Sequence, residues 1–227
     1  MFTEFLTGGT KGIIKRKIRT PLIIRRINNS KGLVKLVIGA GNKYLEGWYN
    51  FDLRSKSPQV YYLDVTKRFP LKDQSTDLIL CEHLIEHLSF DEGQNMLNEF
   101  YRILKTGGKV RISTPDLKRV VSLYGKINGP EAEYIRWITN FVPELKDKHR
   151  DTYQFAINNA FHNWGHRFLY DEALLRNSLE QNRFRNVKRF NYRESDCDPF
   201  RGAEVHGNVV KDEIMVNFES LILEGER

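Results

Sequence analysis

Glu82-His83-Leu84-Ile85-Glu86-His87 places two carboxylates and two imidazoles within six residues. Imidazole titrates near neutrality, so such a run can move protons. It also spells H-x-x-E-H, the inverted zinc-peptidase pattern, which needs both imidazoles on one helical face. Two further carboxylates, Asp52 and Asp64, each close a short apolar run, and Gly39-Ala40-Gly41 closes another. Acids and a glycine turn at successive strand ends converge on one crevice in an open α/β sheet. A carboxylate after the second strand suits a ribose diol, because it can accept from both hydroxyls. Neither G-x-G-x-x-G nor G-x-x-x-x-G-K-[ST] occurs, so the expected ligand is a nucleoside without a phosphate cradle. A peptidase would leave the Asp-terminated strands unexplained, and no metal is assigned.

These groups need strands alternating with helices to position them. The apolar runs Leu33–Ile38, Trp48–Leu53, Val60–Val65, Asp77–Cys81 and Lys109–Ser113 are predicted strands. Ser89-Phe90-Asp91-Glu92 is a capping box for a helix with a core stripe at Met96, Leu97, Phe100, Ile103 and Leu104. Gly107-Gly108 is expected to stop that helix. Asp171–Asn182 reads as a second amphipathic helix, and Asn186–Tyr192 and Glu213–Leu221 as later strands. The pattern predicts a mostly parallel sheet with helices on both faces. Gly41 to Trp48 is too short for a crossover helix. Residues 116–170 form an insertion in which residues 131–170 carry nine of the chain's 27 aromatics. Following the fifth strand, it can lie over the strand ends as a lid or substrate wall.

The succession of strand–GAG, FDL, LDV, FPLKDQSTDLILCEHLIEHL and FYRILKTGGKVRISTPD resembles the class I S-adenosylmethionine-dependent methyltransferases. Within that class it is most similar to small bacterial type-11-domain proteins associated with sugar and surface-polysaccharide pathways. The resemblance covers residues 33–221, and HRFLYDEALLRNSLEQNRF is similar to the family's final helix, with Arg183 in place of its usual Gly. It implies a Rossmann-like, doubly wound, seven-stranded sheet, mostly parallel with the last strand antiparallel, plus the helical insertion. It also implies S-adenosylmethionine as cofactor and S-adenosylhomocysteine as product. Carried over by position, Gly39, Ala40 and Gly41 pass beneath the methionyl part. Asp52 holds the ribose hydroxyls, with Leu53 against the adenine face. Asp64 accepts from the exocyclic amine, the Val65 amide meets a ring nitrogen, and Glu82 and His83 flank the sulfonium. Two departures stand out: Val37 occupies a position often acidic in the class, and the glycine motif is shortened to Gly-Ala-Gly.

The expected reaction is methylation of a hydroxyl on a sugar, glycan or other small molecule. That chemistry needs in-line alignment and a base. His83 is the first candidate base and His87 the second; His162 and His166, with Arg167, could reach in from the lid, and Asp116 follows the fifth strand. The alternatives are a degenerate nucleoside-binding or scaffolding protein, motivated by Val37 and the missing crossover helix, and the zinc peptidase.

The chain of 227 residues carries +7, and residues 1–35 alone carry +8, leaving −1 for the rest. A neutral catalytic region argues against nucleic acid as acceptor. Residues 1–32 are therefore a basic extension and residues 33–221 the domain. The stretch 11–31 reads either as an interfacial helix for anionic membrane or as helices packed on the domain, interrupted near Thr20 by Pro21. Two cysteines, and no apolar run of about 18 residues, suggest a cytoplasmic protein, with peripheral membrane contact in the first reading.

Overall fold

A computed structural model describes residues 10–142 and 152–227. Seven strands form one sheet: β1 (Lys35–Ile38), β2 (Tyr49–Asp52), β3 (Val60–Tyr62), β4 (Thr76–Glu82), β5 (Leu104–Pro115), β6 (Arg185–Arg189) and β7 (Ser220–Glu226). Their spatial order is β3-β2-β1-β4-β5-β7-β6. β1 to β5 are parallel, and β7 runs antiparallel to both of its neighbours. The order reverses between β1 and β4, so the strand ends there open a crevice.

Among the described residues, eight helices accompany the sheet: α1 (Thr10–Asn28), α2 (Phe90–Ile103), α3 (Leu117–Ser122), α4 (Gly129–Phe141), α5 (Tyr153–His162), α6 (Glu172–Gln181), α7 (His206–Val210) and α8 (Glu213–Glu219). Alternation along β1 divides the interior: Leu36 and Ile38 join a core with residues of α1, α2 and α6, while Val37 faces the other way. The capping box forms as expected, with the Glu92 amide donating to Ser89 Oγ at 3.3 Å and the Ser89 amide to Glu92 Oε2 at 2.8 Å. Met96, Leu97, Phe100 and Ile103 are buried beneath it.

Three local expectations are corrected. Gly107-Gly108 does not stop α2: the helix ends at Ile103 and the chain enters β5 directly at the buried Leu104. The glycine pair lies inside β5, where a Cβ on Gly108 would come within 3.0 Å of the Asp77 carbonyl. Glu213–Leu221 is not one strand. The Asp212 side chain accepts from the Met215 amide at 3.1 Å and starts α8, and the strand begins only at Ser220. Pro21 neither ends nor splits α1, which runs continuously to Asn28. Tertiary contacts hold it: Ile24 and Ile27 enter the main core, and Thr20 Oγ1 accepts from the Tyr62 amide at 2.9 Å, covering the edge of β3.

The described residues of the insertion form α3, α4 and α5. Tyr134, Ile135, Ile138 and Ala156 form its own small core, against which Met215 and Phe218 of α8 pack. The connection from β1 to β2 has no helix, as expected, and the sheet face it leaves is covered from far along the chain. Phe200 and Ala203 pack there with Val37, Trp48, Val60 and Leu80, and Phe200 stacks on Trp48 at 5.9 Å.

Candidate active site

At the end of β1 the chain turns through Gly39 and Gly41, both at positive φ (86° and 58°). A Cβ on Gly39 would lie 2.8 Å from Leu84 Cβ, so glycine is needed for close approach. On Gly41 it would meet nothing within 4 Å, so that glycine borders open space. Ala40 between them is buried. Asp52, at the end of β2, takes the Gly41 amide on Oδ2 at 3.0 Å and the Arg54 amide on Oδ1 at 2.6 Å. Leu53, next to it, is exposed. Asp64 follows β3 and accepts from the Thr66 amide at 3.1 Å and hydroxyl at 2.7 Å, with Lys67 Nζ 3.3 Å away. Burial raises its pKa, but Thr66 and Lys67 outweigh that and hold it below the ordinary value. Val65 packs half-buried on the core.

β4 ends in the polar run. Glu82 is buried and accepts from the Val205 amide at 3.1 Å and the His206 amide at 3.0 Å, one on each oxygen. His83 adopts φ +49°. Its Nδ1 lies 3.2 Å from Oε1 of the fully buried Glu86, whose Oε2 accepts from Thr114 Oγ1 at 3.1 Å. Burial opposes both charges, yet the contact dominates: His83 sits above its ordinary pKa, and Glu86 falls to about 2. His83 stacks on His206, with ring centroids 4.0 Å apart. His206 Nε2 approaches Glu219 Oε1 at 3.4 Å, and Tyr134 donates to the other Glu219 oxygen at 2.7 Å. Burial and the neighbouring His83 lower the pKa of His206. Lys43, from the β1–β2 loop, is also lowered by burial, against the opposing charge of Glu82.

His87 lies on the other side of Glu86, edge-on to His166 at 5.1 Å. His166 Nδ1 is 2.7 Å from the Ala160 carbonyl, and burial lowers its pKa. Four of the chain's six histidines thus gather at the end of β4. The zinc-peptidase geometry is not formed. Positive φ puts His83 outside the single 3-10 turn Ile85–His87, so the two imidazoles share no helical face and take different partners.

Other sequence candidates lie elsewhere. His162 is exposed at the end of α5. The Arg167 side chain pairs with Glu92 at the start of α2, while its amide donates to the Glu86 carbonyl at 2.7 Å. Asp116 caps α3 by accepting from the Lys118 amide at 2.9 Å and pairs with Arg189 at 3.2 Å. Lys43, His206 and Glu219 escape the sequence reading: Lys43 lies beyond the glycine turn in the β1–β2 loop, and His206 and Glu219 stand in no motif and follow no predicted parallel strand. A narrow cleft beside this cluster is lined by Arg119, Tyr134, Trp164, His166, Phe218 and Glu219, drawn from the insertion and α8.

The sequence family described as "Methyltransferase domain" matches residues 48–112, from β2 into β5. An uncharacterized protein of Methanocaldococcus jannaschii is 31% identical over 107 residues. That match spans 39% of this chain and 44% of the relative. A SAM-dependent methyltransferase from Archaeoglobus fulgidus superposes with a TM-score of 0.52 at 16% identity, covering 99% of this chain and 96% of that one. An S-adenosylmethionine-dependent methyltransferase from Mesorhizobium loti gives a TM-score of 0.49 at 14% identity over 92% and 97% of the two chains. The matched segment holds the second and third strand-end acids and the polar run after β4. The chain thus carries a match to a methyltransferase domain over residues 48–112, set in a sheet with the fold of a SAM-dependent methyltransferase.

Proposed function

We propose that the chain binds S-adenosylmethionine across the ends of β1, β2 and β4 and transfers its methyl group to a hydroxyl of a sugar, glycan or other small molecule. The observation that carries this reading is the joining of the glycine turn to Asp52 through the Gly41 amide at 3.0 Å. That contact aims a carboxylate and an open-sided backbone turn at one space, which suits a ribose beside a methionyl chain. Asp64 and Leu53 lie on the adenine side of this arrangement, and Glu82 and His83 on the sulfonium side. Bound there, the cofactor would supply an electrophilic methyl carbon. The chain's own part is to align an acceptor oxygen, exclude water and take a proton. His83, already paired with Glu86, and His87 and His166 beside it are the imidazoles available for that proton. The neighbouring cleft, with Trp164 and Arg119, is the proposed acceptor wall.

The test is calorimetry with S-adenosylhomocysteine. Asp52→Asn removes charge-assisted hydrogen bonds of roughly 1.5–3 kcal/mol, so binding should weaken about tenfold or more. Unchanged affinity in the folded variant would place the nucleoside elsewhere. Tight binding with no acceptor methylated in a glycan and small-molecule screen would favour the degenerate binding protein.

For the basic extension we propose peripheral contact with an anionic membrane. Ile18 and Leu22 stand 68% and 71% exposed on α1, one turn apart, among the exposed Arg19, Arg25 and Arg26. An apolar pair within a basic field suits an interfacial helix. Among the described residues no helix is long and apolar enough to cross a membrane.

A further inference from the structure

We infer that His83, His206 and Glu219 form a binding site for a divalent transition-metal ion. One ligand atom from each lies within 4.8 Å of the other two, although the residues come from the end of β4, the start of α7 and the end of α8. His83 Nδ1 is engaged by Glu86 at 3.2 Å, while its Nε2 is buried with no hydrogen-bond partner. A histidine whose one ring nitrogen is held by a carboxylate presents the lone pair of the other, which is how metal-binding histidines are oriented. Glu219 is oriented in the same manner. Tyr134 occupies one oxygen at 2.7 Å, and the other faces His206 Nε2 at 3.4 Å.

Two imidazoles and a carboxylate select zinc or a neighbouring first-row ion over magnesium or calcium, which take oxygen ligands. The rings of His83 and His206 are stacked at 30°, so coordination turns His206 out of the stack to converge its lone pair. Its side chain is 23% exposed, which leaves room for that turn. This site shares only His83 with the H-x-x-E-H run. On the methyl-transfer reading, the ion would lower the pKa of an acceptor hydroxyl beside the sulfonium. Ion binding itself is independent of that reading and is measured without an acceptor.

The experiment is titration of the chelator-treated full chain with zinc(II) by calorimetry and with cobalt(II) by visible absorption. One equivalent should bind, with a cobalt spectrum of low coordination number. His206→Asn and Glu219→Gln should each weaken binding at least about tenfold, while His162→Asn, which removes an exposed histidine, should change nothing. Glu219→Gln keeps the side-chain volume, so it remains decisive should His206→Asn fail to fold. Absence of saturable binding would overturn the proposal. So would loss of the ion in His162→Asn, or its loss in His166→Asn with retention in His206→Asn. The last pattern would move the ion to the Glu86–His87–His166 cluster.

Discussion

Arg111 shows how much one residue can hold together. It is fully buried on β5, donating from Nε to Glu204 at 2.6 Å and from a terminal nitrogen to Glu224 at 2.5 Å. Glu224 is its register partner on β7, and Glu204 belongs to the segment that Glu82 grips through Val205 and His206. Removing one member of a buried ion cluster strands the others, which costs roughly 3–5 kcal/mol. Arg111→Met should therefore lower urea-unfolding stability by about that amount, and a loss under about 1 kcal/mol would show that the pairs contribute little. At this scale the sequence is legible where a polar group follows a strand: Asp52, Glu82 and His83 stand out as candidates because each ends an apolar run. His206 and Glu219 do not stand out, because His206 is brought in through its amide contact with Glu82 and Glu219 lies at the end of α8, just before β7 pairs with β5. The H-x-x-E-H spelling misled for a related reason. A left-handed conformation at a non-glycine residue, His83, leaves no trace in residue type.

Among the elements, α2 is the most legible at its start, since the cap and the stripe Met96, Leu97, Phe100 and Ile103 agree with the expectation, while its end at Ile103 comes before the glycine pair. What the pattern left out is how α2 holds the chain beside it. Glu99 accepts from the Phe69 amide at 2.7 Å, and Arg102 spans Glu99, Asp73 and the carbonyls of Phe69 and Leu71. Burial raises the pKa of Glu99, but Arg102 and the Phe69 amide outweigh it, so the carboxyl lies below its ordinary value. A depressed carboxylate stabilises the fold fully above its unfolded pKa, about 4.3, and loses that contribution as pH falls through the folded value. Glu99→Gln should flatten the fall in stability between about pH 5 and pH 3 relative to the parent chain. An unchanged slope in acid unfolding curves would remove Glu99 from the account. The run Glu213–Leu221 was illegible for a different reason: an apolar segment of that length fits the end of a helix as well as a strand. For α1, the expected break at Pro21 gave way to tertiary contacts. Ile18→Gln with Leu22→Gln should reduce co-sedimentation with anionic vesicles while leaving thermal stability nearly unchanged. Equal sedimentation of the double variant would count against membrane contact. Deleting the helix is a poorer test, since Ile27 is only 1% exposed and lies in the core.

For the whole molecule, alternation of strands and helices is enough to anticipate a mostly parallel sheet with helices on both faces, because each strand's two-sided burial is written in its own residues; the count of seven comes from the family resemblance. Which distant segment covers a bare face is not so written. Phe200 and Ala203 replace a crossover helix, yet nothing in residues 195–205 announces that role. One consequence of the strand order concerns time. β6 is synthesised before β7, but β7 stands between it and the rest of the sheet. During translation β6 must wait outside the sheet, Arg111 lacks Glu224, and the edge of β5 is open. The left half of the sheet can settle early around its glycine turn and first acids. The groups contributed by α7 and α8, and with them the proposed ion site, come together only once the late strand threads into its gap. A ribosome-bound chain stopped before β7 would be a half-built fold in need of protection from its neighbours.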